Sequence, residues 1–314
     1  MKEHPLVAFT ILAQLAVGAF LAQGLLLSGP AASTAASNSL LLANGPFLLL
    51  ALLASLFHLG SPAVAYRAIA NLGSSWLSRE ILFALLFTGL GGGYAALARW
   101  GSLPGGTQTG LRALVAVCGL GLILCMAKLY MLRTVPAWNH WLTPASFLAT
   151  SLLLGSLSAG VAVAAVEQHN LAALRWSGRT GLLLLALALA FACLTGAHLA
   201  RLKQPERSQG IKHPQFQRRL HRLRLALLLA SALVMVLFQA TGVDGQMQAA
   251  PAAFFLAFAL ALAGEVLGRY YFYSLPGSPA VPRRSHHRGQ PVMAAWPVQG
   301  AGGTTAPLIG PDNR

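Results

Sequence analysis

The sequence predicts an all-α integral membrane protein: an eight-transmembrane-helix bundle with both termini on the same, cytoplasmic side. Three observations predict it: a very apolar composition, a regular recurrence of long apolar runs, and a lopsided distribution of charge. Hydrophobic residues make up 56% of the 314 residues and charged residues only 9%, against roughly 25% charged in a soluble domain. Mean hydropathy is +0.62. So few charges cannot cover the surface of a soluble fold of this length.

The runs come in order. A helix needs roughly 20 apolar residues to cross the hydrocarbon core. Stretches 6–27, 40–59, 80–98, 111–131, 144–166, 181–200, 223–241 and 252–273 meet that need. Turn chemistry separates them, as in Ser28-Gly29-Pro30, Leu103-Pro104-Gly105-Gly106 and Thr241-Gly242-Val243-Asp244-Gly245. The first run has only Lys2 as a charged start and is longer than the core of an export signal. It is expected to stay as a helix, although the small residues of 31–36 resemble a cleavage region. After the membrane domain of residues 1–273, a tail of 274–314 has 13 Gly or Pro among 41 residues and is expected to be disordered.

Charge sets the orientation. The 22 Lys and Arg outnumber the 7 Asp and Glu, for a net charge of +15. The motifs of nucleic-acid-binding folds are absent, so no nucleic-acid partner is expected. With eight spans, the side holding the termini carries 18 of the 22 basic residues, which marks it as cytoplasmic. The densest stretch, 201–224, reads as a loop that sets topology and touches anionic lipid, with docking of a peripheral subunit as the alternative. Cys118, Cys125 and Cys193 sit singly inside apolar runs and read as buried thiols. They form no CxxC pair, so no metal or iron–sulfur site is expected in this chain.

Ionisable groups in or beside spans are costly and therefore mark function. Here they gather on the basic side: His58 at the end of the second run, Arg79 and Glu80 opening the third, and Lys128, Tyr130 and Arg133 closing the fourth. Trp138 and Trp141 follow, then His198 and Arg201, and last Glu265 and Arg269. Of the seven acids only Glu80 and Glu265 fall within spans. Each has a plain structural reading as well: dipole compensation, snorkelling, an interfacial aromatic belt, or for Glu265–Arg269 an i,i+4 ion pair that braces the last helix.

A histidine and a carboxylate at a membrane surface can take protons at neutral pH, aromatic walls can hold a flat ring, and cations can steady an anion. Oxidation of a lipid-soluble quinol needs that set. The electrons then pass to a partner or to a haem; His58 and His198 are the only in-span histidines, enough for one bis-histidine haem and not for two. A non-redox transporter is the competing class. It would need a polar path through the midplane, where ionisable residues are nearly lacking.

Three patches resemble the membrane anchor of dimethyl sulfoxide reductase, in the wider group of quinone-reactive anchors of molybdenum enzymes. The first is Ser55-Leu56-Phe57-His58-Leu59-Gly60-Ser61-Pro62, continuing through Tyr66-Arg67, Leu72-Gly73-Ser74-Ser75, Leu77-Ser78 and Arg79-Glu80-Ile81. The second is Thr134-Val135-Pro136-Ala137-Trp138 with Trp141-Leu142-Thr143-Pro144. The third is Leu262-Ala263-Gly264-Glu265-Val266-Leu267-Gly268-Arg269 with Phe272-Tyr273; Pro5-Leu6 and Phe9-Thr10 also look alike.

The resemblance implies a haem-free, multi-pass subunit of the cell inner membrane. It would tether a molybdopterin catalytic subunit and an iron–sulfur electron-transfer subunit, which hold those cofactors. Menaquinone or ubiquinone would be its exchangeable substrate, with the family's key histidine falling on His58 and its quinol-site carboxylate on Glu80. Arg79, Tyr130, Arg133 and Trp138 are candidates for the pocket or the docking surface. Related anchors run in the opposite direction, as in sulfite dehydrogenases that donate electrons to quinone.

Overall fold

The computed structural model describes residues 4–28, 34–58, 71–101, 104–133, 135–167, 170–201, 214–240 and 249–275. These residues form eight helices: α1 His4–Ser28, α2 Thr34–His58, α3 Trp76–Trp100, α4 Gly105–Tyr130, α5 Leu142–Val166, α6 Leu171–Arg201, α7 Pro214–Ala240 and α8 Ala250–Tyr273. The tail expected beyond 273 lies outside the described residues from 276 onward.

Local chemistry marks the helix ends. Ser75 caps α3, its hydroxyl accepting from the Ser78 N–H at 3.3 Å, and Gly101 ends the same helix on the Leu97 carbonyl at 2.9 Å. Pro104 precedes α4, and a proline occupies the first turn of α8, where its missing N–H leaves no helical bond unmade.

α1 and α5 form the centre. α1 packs on α2, α5, α4 and α8, and α5 packs on α1, α6, α8, α2 and α4. The two backbones touch at a glycine pair. A Cβ on Gly18 would lie 1.8 Å from the Ser151 carbonyl oxygen, and one on Gly155 would lie 2.0 Å from the Gly18 carbonyl carbon. Small residues permit this approach where lipid offers no hydrophobic drive between helices. Hydroxyl groups add glue: Ser151 Oγ donates to the Gln14 carbonyl at 2.8 Å, and Ser231 Oγ joins α7 to the Ala257 carbonyl of α8 at 2.7 Å. Towards the far end Gln23 Nε2 donates to Ser37 Oγ at 2.9 Å and to the Tyr94 hydroxyl at 3.4 Å.

An all-α membrane protein is what the molecule shows. Seven of the helices are long and apolar enough to cross a bilayer, and α2 contributes a shorter apolar stretch, Ala35–Ala51. All eight helices begin earlier than hydropathy indicates, and in three of them the added turns carry arginine: α3 at Trp76 rather than 80, α6 at Leu171 rather than 181, and α7 at Pro214 rather than 223. Their opening turns carry Arg79, Arg175, Arg179, Arg218, Arg219 and Arg222. Arginine lowers hydropathy but is a good helix former, so the helix outlasts the apolar run. The stretch read as a loop over 201–224 is therefore helical from Pro214. Cys118 and Cys125 are buried as expected, but Cys193 is exposed, facing outward beside Leu194.

Candidate functional site

One end of the bundle collects the start of α1 and α5 and the close of α4 and α8. At its centre is an aromatic knot. The Tyr273 hydroxyl donates to the Tyr130 hydroxyl at 2.9 Å, and Tyr130 also meets Phe147, Phe272 and Trp138 edge-on or tilted. Trp138 stacks on Phe272 with centroids 5.1 Å apart, and its indole Nε1 donates to the Phe272 carbonyl at 3.0 Å. The loop carrying Trp138 is pinned by Thr143 Oγ1, which donates to the Trp138 carbonyl at 2.7 Å. Tyr130 and Trp138 are thus buried within packed protein, as the joint between α4, α5 and α8.

Glu80 lies in the second turn of α3 and is 5% exposed. Its carboxylate is close enough to the Tyr130 and Tyr273 hydroxyls and to Cys125 to interact with them electrostatically. Its Oε2 is buried with no hydrogen-bond partner among the described residues. A buried, unsatisfied carboxyl oxygen is destabilising, which makes it a functional candidate.

The adjacent Arg79 does something else. Its Nε donates to the Leu72 carbonyl at 2.8 Å, an Nη donates to the Gly73 carbonyl at 2.7 Å, and the guanidinium lies 4.4 Å above Trp76. It holds the turn before α3. Arg133 is exposed. His58 closes α2, with its side chain and residues 59–70 outside the described residues.

A second polar cluster joins α1, α5, α7 and α8. The Glu265 carboxylate accepts from an Nη of Arg224 at 3.0 and 3.1 Å and from Thr150 Oγ1 at 2.7 Å. Arg269 donates instead to Gln14 Oε1 at 2.8 Å and sits 3.6 Å above the Phe147 ring. All of these groups are buried. The expected i,i+4 bond between Glu265 and Arg269 is therefore replaced by bonds to other helices.

The reason is close helix approach. Gly264 and Gly268 open the surface of α8, and a Cβ on Gly268 would lie 2.7 Å from Arg224 Nε. Two glycines four apart, one adjacent to a carboxylate and one a turn beyond it, were the signal for a partner from outside the helix. The cavity beside this cluster, lined by Ser146, Thr150, Thr195, Arg224, Glu265 and Arg269, has about 20 Å³. That is room for about one water and too little for a quinone ring.

At the edge of the same end, His140 stacks on His198 with centroids 4.0 Å apart, and its Nδ1 accepts from the Leu142 N–H at 3.2 Å. Among the described residues, no group of three or more His, Cys, Asp or Glu is placed to hold a metal ion.

The molecule is thus a helical membrane protein whose buried charged side chains among the described residues, Glu80, Arg224, Glu265 and Arg269, lie towards one end of the bundle. The family model described as "DMSO reductase anchor subunit (DmsC)" matches residues 1–275, and the protein belongs to that family. It is 29% identical over 277 residues to a chain of the anaerobic dimethyl sulfoxide reductase of Escherichia coli, a match that spans 87% of this protein and 94% of its relative. It is 34% identical over 168 residues to the corresponding chain from Haemophilus influenzae, spanning 52% of this protein and 59% of the other. A shorter likeness, 33% over 128 residues, reaches a subunit of the sulfite dehydrogenase of Allochromatium vinosum, spanning 37% and 38%.

Proposed function

We propose that this protein is the membrane anchor and quinone-reactive subunit of a molybdopterin oxidoreductase complex of the dimethyl sulfoxide reductase type. It spans the cell inner membrane eight times, with both termini in the cytoplasm, and passes electrons between the quinone pool and an iron–sulfur partner subunit. The molybdopterin cofactor and the iron–sulfur clusters belong to partner subunits, and the anchor itself holds no haem. Membership of the anchor family supports the role. The observation that carries the site is Glu80, a buried carboxyl with one oxygen unpartnered among the described residues.

When a quinol is oxidised, two O–H bonds break, two protons leave and two electrons pass to the acceptor. His58 hydrogen-bonds one substrate oxygen and takes its proton, and Glu80 relays protons to water. Tyr130 and Trp138 act by holding together the joint of α4, α5 and α8 at the same end of the bundle. Arg79 acts by fixing the turn that sets the start of α3, and so the position of Glu80.

A second reading reverses the electron flow: the anchor of a cytoplasm-facing sulfite dehydrogenase, donating electrons to quinone. The likeness to the Allochromatium vinosum protein favours keeping it. The same residues serve both directions, because proton uptake and release at one oxygen follow one path.

The test is a complex carrying His58→Leu or Glu80→Gln. Turnover with a quinol donor is expected to fall at least about a hundredfold, the range supplied by a positioned acid or base. Turnover with a soluble dye donor, and copurification of the other subunits, should be unchanged. Quinol kinetics like those of the wild type would overturn the assignment.

A further inference from the structure

α7 is a peripheral helix that packs on α6 and α8. One face of it points outward along its whole length. Arg218, Arg222, Ala226, Leu229, Leu233 and Val236 are all exposed or partly exposed and recur at intervals of three and four, so they form a single stripe. Leu229 and Leu233 are each 57% exposed. In a bilayer that apolar part of the stripe meets lipid chains. The arginines continue the same stripe past its apolar end, with Arg219 beside them, and Phe216 and Leu223 are exposed at the same level.

Length places this polar end. The span Gln215–Ala240 has 26 residues, about 39 Å at 1.5 Å per residue. The hydrocarbon core takes about 30 Å. Roughly six residues project beyond it, which sets Arg218 and Arg219 among the headgroups and lets Arg222 snorkel up to them. No carboxylate occurs anywhere in α7, and no acid lies in its first turn, so the positive end of the helix dipole adds to the three guanidiniums.

We propose that Arg218, Arg219 and Arg222 bind the phosphodiester headgroup of an anionic phospholipid. The planar forks of arginine pair with phosphate oxygens in a bidentate manner, and Phe216 and Leu223 rest against the first carbons of the acyl chains. The occupant is a lipid rather than an acidic protein surface because the arginines share their face with lipid-facing leucines. The site is independent of the redox reading and would be present whichever way electrons flow.

The test uses the full-length protein, purified with its copurifying subunits, in nanodiscs of phosphatidylcholine containing a minor share of phosphatidylglycerol or cardiolipin. Retained lipid is counted by native mass spectrometry. The wild type should retain the anionic lipid over phosphatidylcholine by about tenfold or more, given three cations at the surface. R218Q/R219Q/R222Q should lose that enrichment, and R218K/R219K/R222K should keep part of it, since charge remains but the fork is lost. The bias of 18 basic residues against 4 falls only to 15 against 4 in the glutamine variant, so its orientation is retained.

Undiminished anionic lipid in the glutamine variant would overturn the proposal. So would loss of the partner subunits with lipid unchanged, which would make the patch a protein-docking face. If the glutamine variant does not accumulate, the wild type alone decides. Its retained anionic lipid should decline as salt is raised from about 0.05 to about 0.5 M, and retention indifferent to salt would overturn the site.

Discussion

The glycine contact between α1 and α5 allows a quantitative prediction. Replacing Gly155 with alanine puts a methyl carbon 2.0 Å from the Gly18 carbonyl carbon, 2.2 Å from its oxygen and 2.6 Å from the Ala19 nitrogen. Non-bonded heavy atoms sit about 3.5 Å apart at the optimum, so the helices must part by more than about 1 Å. The neighbours are backbone atoms and cannot swing aside. Overpacking of this kind destabilises by about 1–3 kcal/mol. Opening the seam also weakens the Ser151–Gln14 hydrogen bond, an interhelical bond of the kind that averages about 0.6 kcal/mol in a membrane.

A total of about 3 kcal/mol is expected for Gly155→Ala, and a similar loss for Gly18→Ala. The double variant should lose less than the sum, because both methyl groups open the same seam. Gly92→Ala is the internal control, since nothing lies within 4 Å of its added Cβ. It should be neutral or stabilising by up to about 1 kcal/mol through helix propensity. Equilibrium unfolding in mixed micelles, followed by circular dichroism, reads all four. Gly155→Ala within about 0.5 kcal/mol of Gly92→Ala, at roughly equal expression, would refute the reasoning.

Three further outcomes are expected. Glu265→Leu should destabilise by about 3–5 kcal/mol because Arg224 is left as an uncompensated buried charge. Adding Arg224→Leu should recover much of that loss in the same titration, and simple additivity would count against the pairing. Tyr130→Phe removes only the hydroxyl that meets Tyr273, so a loss of about 0.5–1.5 kcal/mol with quinol turnover kept is expected; a collapse of kcat would place that hydroxyl in the chemistry. Arg79→Ala should cost about 1 kcal/mol and leave quinol turnover above half, whereas a loss as deep as that of Glu80→Gln would contradict its role on the turn.

The helical class and the order of elements were legible because a bilayer imposes one period and one length on every span. The corrections fall where a second constraint acts. Helix starts at Leu171 and Pro214 were hidden because hydropathy reports the lipid, whereas the helix continues on the propensity of its arginines. The gathering of Tyr130, Trp138, Glu265 and Arg269 at one end followed from topology. Their partners did not, since i,i+4 spacing describes only what a helix offers to itself. Glu265 turned to Arg224 on α7 and Arg269 to Gln14 on α1 because α8 is close to both neighbours. Gln14, fully buried, had no charge to draw notice. The resemblance patches marked Trp138, Phe272 and Tyr273 of the knot but not Tyr130 or Phe147, and only the packing separates Glu80, with its unpartnered oxygen, from the braced Arg79 beside it.

The central position of α1 bears on how the protein is made. α1 leaves the ribosome ahead of the other seven helices, yet α5, against which its Gly18 face closes, follows more than a hundred residues later. Until then Gln14 and the bare backbone at Gly18 face lipid or the insertion machinery. The Arg269 that finally engages Gln14 comes from the last helix. The earliest segment is thus among the last to be completed, so a nascent chain stalled before α8 holds an unfinished core. That intermediate is where membrane quality control would find an exposed polar group to recognise.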